Sequence, residues 1–197
     1  MNKRFSPQSL VIILHEIYGI NDHIRFFSDE LTKEGFDVIA PNLLDRGAFP
    51  YEEEEQAYQY FVNEIGFDQS LHKVKQIVEE QRKKYNRIYI IGFSIGATTA
   101  WRSSECGVDG VIGYYGSRIR NYTEVEPGCP TLLFFSQHEK SFNVMDLAEK
   151  LETKKMTDIE IVEAEHGFMN PFHKSYKPEE YKKCMEASLH FLGKIEF

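Results

Sequence analysis

An α/β fold built on one mostly parallel sheet of about six or seven strands, with helices on both faces, is predicted from three observations. Short runs rich in Ile and Val alternate along the chain with longer amphipathic stretches. Most of those runs are apolar at nearly every position, the pattern of strands buried from both sides rather than from one. No internal repeat, low-complexity linker or shift in composition divides the 197 residues, so residues 1–197 read as a single domain.

The elements follow in order. Leu10 to Leu14 is a buried strand. Asp22 to Lys33 is a helix, with Ile24, Phe27 and Leu31 at helical spacing and Gly35 as its stop. Phe36 to Ala40 is the next strand, closed by Pro41. Glu52 to Ile65 can form a helix with Tyr58, Phe61, Val62 and Ile65 on one side, and the segment Arg46 to Gly66 can act as a cap over a site. Asp68 to Tyr85 is a strong helix, since Leu71, Val74, Ile77 and Val78 share a face. Arg87 to Ile91 is a strand. Ile95 to Ser104 is a helix packed close to the sheet, because Gly96, Ala97 and Ala100 are small. Val108 to Tyr114 and Thr131 to Phe135 are strands, Val144 to Leu151 a helix, and Ile159 to Val162 a strand. Pro178 sits in the first turn of a last helix that runs to Leu192.

Composition excludes several classes. A hydrophobic fraction of 42% is that of a folded globular chain, not a disordered one. The formal net charge is −8, and basic residues are interleaved with acids, as in Glu79 to Lys84, so no basic stripe for nucleic acid forms. Three cysteines, Cys106, Cys129 and Cys184, are too few and too scattered for a disulfide framework or a structural zinc site. Residues 1–7 lead into no apolar run of signal-peptide length, and no stretch has the length of a membrane span. The expectation is a cytoplasmic protein with no nucleic-acid or membrane partner.

Chemistry concentrates in Gly92-Phe93-Ser94-Ile95-Gly96, which matches G-x-S-x-G. The pattern demands glycine on both sides because the serine sits on a sharp strand-to-helix turn. The turn lifts the hydroxyl into a cleft and aims the next backbone N–H at a developing oxyanion. Here an apolar strand runs into the motif and a small-residue helix leaves it. Serine needs a base, and the base needs an orienting acid. His166, on a loop just past the strand ending at Val162, is the expected base, with His173 its nearest competitor. Glu139, the first carboxylate after the strand Thr131 to Phe135, is the expected acid, with Asp146 the alternative. The oxyanion donors are expected from the backbone N–H groups of Ile95 and of Ile17, in the loop after the first strand.

Four segments carry a family resemblance: His15-Glu16-Ile17-Tyr18-Gly19-Ile20-Asn21, Pro41-Asn42-Leu43-Leu44-Asp45-Arg46, Gly92 to Gly96, and His166-Gly167-Phe168. Together they resemble the dienelactone hydrolases, a family with the α/β-hydrolase fold, from about Leu10 to the C-terminus. The resemblance implies a hydrolase of small esters or lactones that needs no metal or organic cofactor. It also places Glu16 beside the nucleophile and Arg46 on a substrate carboxylate.

The chain departs from the family at four points. Serine stands where the best-studied members have cysteine, and Glu139 where the acid is usually aspartate. Met169-Asn170-Pro171 stands where a second substrate-binding arginine would lie, with Arg118 and Arg120 as possible replacements. The chain begins almost at its first buried strand. The same triad also serves peptidases, thioesterases and acyltransferases, and a hydrolase-like domain that only binds ligand is a third reading.

Overall fold

The structure, a computed structural model, describes residues 9–195; the signal-peptide reading of residues 1–7 falls outside them. Six strands form one sheet: β1 (Ser9–Leu14), β2 (Asp37–Ile39), β3 (Arg87–Phe93), β4 (Gly110–Tyr114), β5 (Thr131–Ser136) and β6 (Thr157–Val162). Their spatial order is β2-β1-β3-β4-β5-β6, and every neighbouring pair is parallel. Among the described residues five α-helices lie between strands, α1 (Asp22–Lys33), α2 (Glu54–Tyr60), α3 (Gly66–Gln81), α4 (Ile95–Ser103) and α5 (Val144–Leu151), and α6 (Pro178–Ile195) follows the last strand.

The two faces of the sheet sort by residue parity. Val11 and Ile13 of β1 join Ile24, Phe27 and Leu31 of α1 and Leu192 of α6 in one cluster. Leu10, Ile12 and Leu14 point the other way, to Val74 and Val78 of α3 and Ala100 of α4. α5 covers that second face further along, where Val144, Leu147 and Leu151 meet Trp101. This burial on both sides is why the inner strands are apolar throughout.

The expected elements form, several with shifted ends: α3 spans Gly66–Gln81 rather than Asp68 to Tyr85, β4 begins at Gly110 rather than Val108, and α6 runs past Leu192 to Ile195. The strand after Lys155 begins at Thr157, earlier than expected, because β6 is an edge strand and tolerates Asp158 and Glu160 on its open side. The stretch from Tyr51 to Ile65 is a 3-10 turn, then α2, then a π-helical turn over Phe61–Ile65, rather than one regular helix. Ser117–Asn121 forms a 3-10 turn that periodicity did not indicate.

Candidate active site

Parallel strands bring their carboxyl ends to one rim, and the loops leaving that rim carry the predicted residues. Ser94 ends β3 and caps α4 with φ +54° and ψ −112°, a conformation that L-residues rarely adopt. Its N–H donates to Tyr114 O at 3.0 Å, which ties the turn to β4. Both motif glycines are required by contact. A Cβ on Gly92 would stand 2.2 Å from Gly96 O, and one on Gly96 would stand 2.2 Å from Leu14 O.

His166 follows β6, and Gly167, with φ +89°, turns the chain after it. Pairing between β5 and β6 continues past the strands, as Gln137 N–H donates to Val162 O and His138 N–H to Ala164 O. That continuation sets Glu139 beside His166. The result is an unbroken relay: Ser94 Oγ lies 2.9 Å from His166 Nε2, and His166 Nδ1 lies 2.7 Å from Glu139 Oε1. The Glu139 side chain is 6% exposed and that of His166 38%, so the carboxylate is nearly buried while the imidazole meets the cleft. The competitors are bonded outside this relay, although His173 borders the same cleft as Ser94. Asp146 is exposed at the start of α5, bonded to Asn143, and His173 Nδ1 accepts from Ser175 N–H.

The residues that carry the two expected oxyanion donors border the same space. Ile95 is the first residue of α4, so its N–H has no intrahelical acceptor. Gly19 N–H donates to Glu16 O at 3.2 Å and closes a turn in which the N–H of Ile17 takes no part. Ile17 and Ser94 border two adjoining cavities, of about 270 and 220 Å³; Ile95 borders the second. Glu54 lines both cavities, and Tyr58, one turn further along α2, lines the second, so the segment from Tyr51 to Ile65 does wall the site.

Glu16 lies at the base of the first cavity with both oxygens engaged. Tyr115 Oη donates to Oε1 at 3.1 Å, Asn170 Nδ2 donates to Oε2 at 3.0 Å, and His23 Nδ1 is 3.3 Å from Oε2. Burial by itself pushes this carboxyl up, but His23, His166 and the Tyr115 hydroxyl outweigh it and hold the pKa below the ordinary carboxylate value. His15 is structural: Nδ1 lies 2.6 Å from Glu16 O, and Nε2 accepts from Leu43 N–H at 2.9 Å. Burial pulls its pKa down to about 4.

Arg46 stands apart from these cavities. Its guanidinium lies 3.6 Å from the centroid of the Phe49 ring, and the arginine that lines the second cavity is Arg118, bonded to Tyr58 Oη. Arg120 bonds back to Ser117 O. His23, Tyr115 and Asn170 were not singled out as site residues in the sequence. Only the Asn170 position carried a signal, as the place where a second arginine was expected; a buried amide there serves Glu16 instead.

Among the described residues no three His, Cys, Asp or Glu side chains converge as a metal site, and no helix is long and apolar enough to cross a membrane.

Comparison with known proteins follows the same lines. The sequence pattern described as "Dienelactone hydrolase family" matches residues 2–196. "Uncharacterized protein YczH" of Bacillus subtilis (strain 168) is 40% identical over 169 residues, covering 84% of this chain and 83% of that protein. The carboxymethylenebutenolidase of Pseudomonas putida is 27% identical over 133 residues, covering 62% of this chain and 56% of the enzyme. A crystal structure of a Klebsiella pneumoniae protein assigned to the dienelactone hydrolases superposes with a TM-score of 0.80 at 22% identity, over 93% of this chain and 86% of that one. With an α/β-hydrolase-like sheet and a family pattern that spans nearly the whole sequence, the chain belongs to the dienelactone hydrolase family and is, at that level, a hydrolase.

Proposed function

We propose that the protein hydrolyses small esters or lactones through a Ser94 acyl-enzyme. The hydroxyl of Ser94 donates to His166 Nε2 while His166 Nδ1–H donates to Glu139. As Ser94 Oγ attacks the carbonyl carbon, its proton passes to Nε2, and the imidazolium is stabilised by the buried Glu139 carboxylate. The carbonyl oxygen gains the negative charge and is met by the N–H groups of Ile95 and Ile17, where one such donor is worth roughly 10²- to 10³-fold in rate. His166 then returns the proton to the leaving oxygen. Water attacks the acyl-enzyme with the same base, and Ser94 is regenerated.

The single observation that carries this reading is the continuous relay of 2.9 and 2.7 Å from serine to glutamate. Each cavity at Ser94 falls just below the range of about 300–1,000 Å³ usual for ligand sites, which fits a small substrate. Two flanking spaces suit the acyl and leaving halves of an ester. Glu16 borders the first as a fixed negative charge.

The test is turnover of p-nitrophenyl acetate by wild type and Ser94→Ala, together with labelling by a fluorophosphonate. Wild type is expected to turn over and to be labelled at Ser94. The variant should fall by several orders of magnitude, since removing a triad serine costs on the order of 10⁶ in kcat. Equal turnover by the two proteins rejects the nucleophile, and a folded wild type that neither turns over nor labels rejects the enzyme altogether.

A further inference from the structure

The two bonds of His166 lie in the plane of its ring. They hold the imidazole between Ser94 and Glu139 but leave it free to rock about the line joining Nδ1 and Nε2. With 38% of its side chain exposed and its position on a loop, His166 needs a surface against its ring face to stay aligned. Tyr115 provides one: the ring centroids are 4.8 Å apart at an interplanar angle of 54°.

Tyr115 is an unusual residue to find there as simple filling. It is fully buried, and its φ of +44° lies in the left-handed region that bulky residues avoid. Strain of that kind persists only where the surroundings over-determine it, and it gathers at functional sites. Three contacts do so here. The Tyr115 N–H donates to Phe134 O at 2.7 Å, the ring packs edge-on against Phe168 at 5.5 Å, and the hydroxyl donates to Glu16 Oε1 at 3.1 Å. Glu16 in turn is fixed by Asn170 and His23. No hydrogen bond joins Glu16 directly to Ser94 or His166 among the described residues, whereas one joins it to Tyr115, whose ring meets that of His166.

We propose that Tyr115 is a positioning residue, the wall that sets the plane of His166, and that Glu16 acts through it by clamping its hydroxyl. The inference rests on the assignment of His166 as the base in the reading above. Its consequence is specific: weakening the wall slows proton transfer at Ser94 without changing how substrate is held.

Tyr115→Phe keeps the ring and removes the clamp; Tyr115→Leu removes the ring. For an ester substrate, kcat is expected to fall about three- to tenfold in Tyr115→Phe and about 30- to 100-fold in Tyr115→Leu, as small misplacements of a catalytic group do. KM should stay within about twofold of wild type. The fluorophosphonate labelling rate should fall in parallel with kcat. The downfield proton resonance of the His166 Nδ1–H bonded to Glu139 should broaden in both variants.

Tyr115→Phe differs from wild type by one oxygen and decides the matter if Tyr115→Leu does not fold. A folded Tyr115→Phe with kcat within twofold of wild type overturns the proposal. So does a loss carried by KM, or one that leaves the downfield proton unchanged. Ser94→Ala separates the two claims: if it keeps full turnover the base assignment itself fails, whereas an inactive Ser94→Ala beside a fully active Tyr115→Phe removes only the role of Tyr115.

Discussion

Gly96→Ala adds one methyl group at the point where α4 crosses β1, and the consequence follows from distances. The new Cβ would stand 2.2 Å from Leu14 O, 2.6 Å from Leu14 C and 2.7 Å from His15 O. All three are backbone atoms. β1 is paired on both sides, with β2 and with β3, so it cannot retreat. Ordinary contact begins near 3.4 Å, and α4 must therefore lift by about 1.2 Å. Ser94 caps α4 and Ile95 is its first residue, whereas Ile17 hangs from the end of β1. The displacement falls between the two proposed oxyanion donors and moves Ser94 relative to His166.

A misplacement near 1 Å costs about 10²-fold in rate, and loss of one oxyanion donor up to about 10³-fold. Overpacking costs about 1–3 kcal/mol of stability. Gly96→Ala should therefore melt lower yet remain folded at room temperature, with kcat/KM for p-nitrophenyl acetate reduced about 100- to 1,000-fold. Gly47→Ala is the control, since a Cβ there meets nothing within 4 Å. A Gly96→Ala protein with kcat/KM within about threefold of wild type would refute the claim that this crossing sets the oxyanion geometry.

Two further outcomes are expected. Glu139→Gln keeps the size of a side chain that is 6% exposed but can donate to His166 Nδ1 and so favour the wrong tautomer; kcat should fall about 10⁴-fold, measured against an unchanged circular dichroism spectrum, and a loss under about tenfold would contradict the orienting role. His15 gives a pH signature: burial lowers its pKa from 6.5 to about 4, so the unfolded chain takes up its proton first as pH falls. The neutral imidazole that accepts from Leu43 N–H is thus favoured at and above pH 6.5, and stability is lost between 6.5 and about 4. The loss by pH 5 should be about 2 kcal/mol. Urea unfolding at pH 7 and pH 5 should show that loss in wild type and a smaller one in His15→Gln; equal losses in both would remove His15 as the source.

Much of the sheet was legible because burial on two faces leaves a signature in the chain itself. Val11 and Ile13 serve one core, Leu10, Ile12 and Leu14 the other, and both demand apolar residues. The strained turn at Ser94 was legible for a different reason: close backbone approach leaves glycine as the residue that fits at 92 and 96. The order of serine, glutamate and histidine along the chain could be read from the loops that follow strands. β6 was harder to bound, because an edge strand buries only one side and carries charge.

Sequence alone therefore determined the parallel α/β class, the serine turn and the loops from which base and acid should come, all of them consequences of local sterics and of burial patterns that repeat along the chain. Tertiary structure alone decided that Tyr115 stands against His166 and that Asn170 and His23 hold Glu16. It also decided that Arg118 rather than Arg46 borders the space before Ser94. These contacts join residues 7 to 154 positions apart through side chains whose partners leave no periodicity and no motif, and distance in space is fixed only when the whole sheet has been assembled.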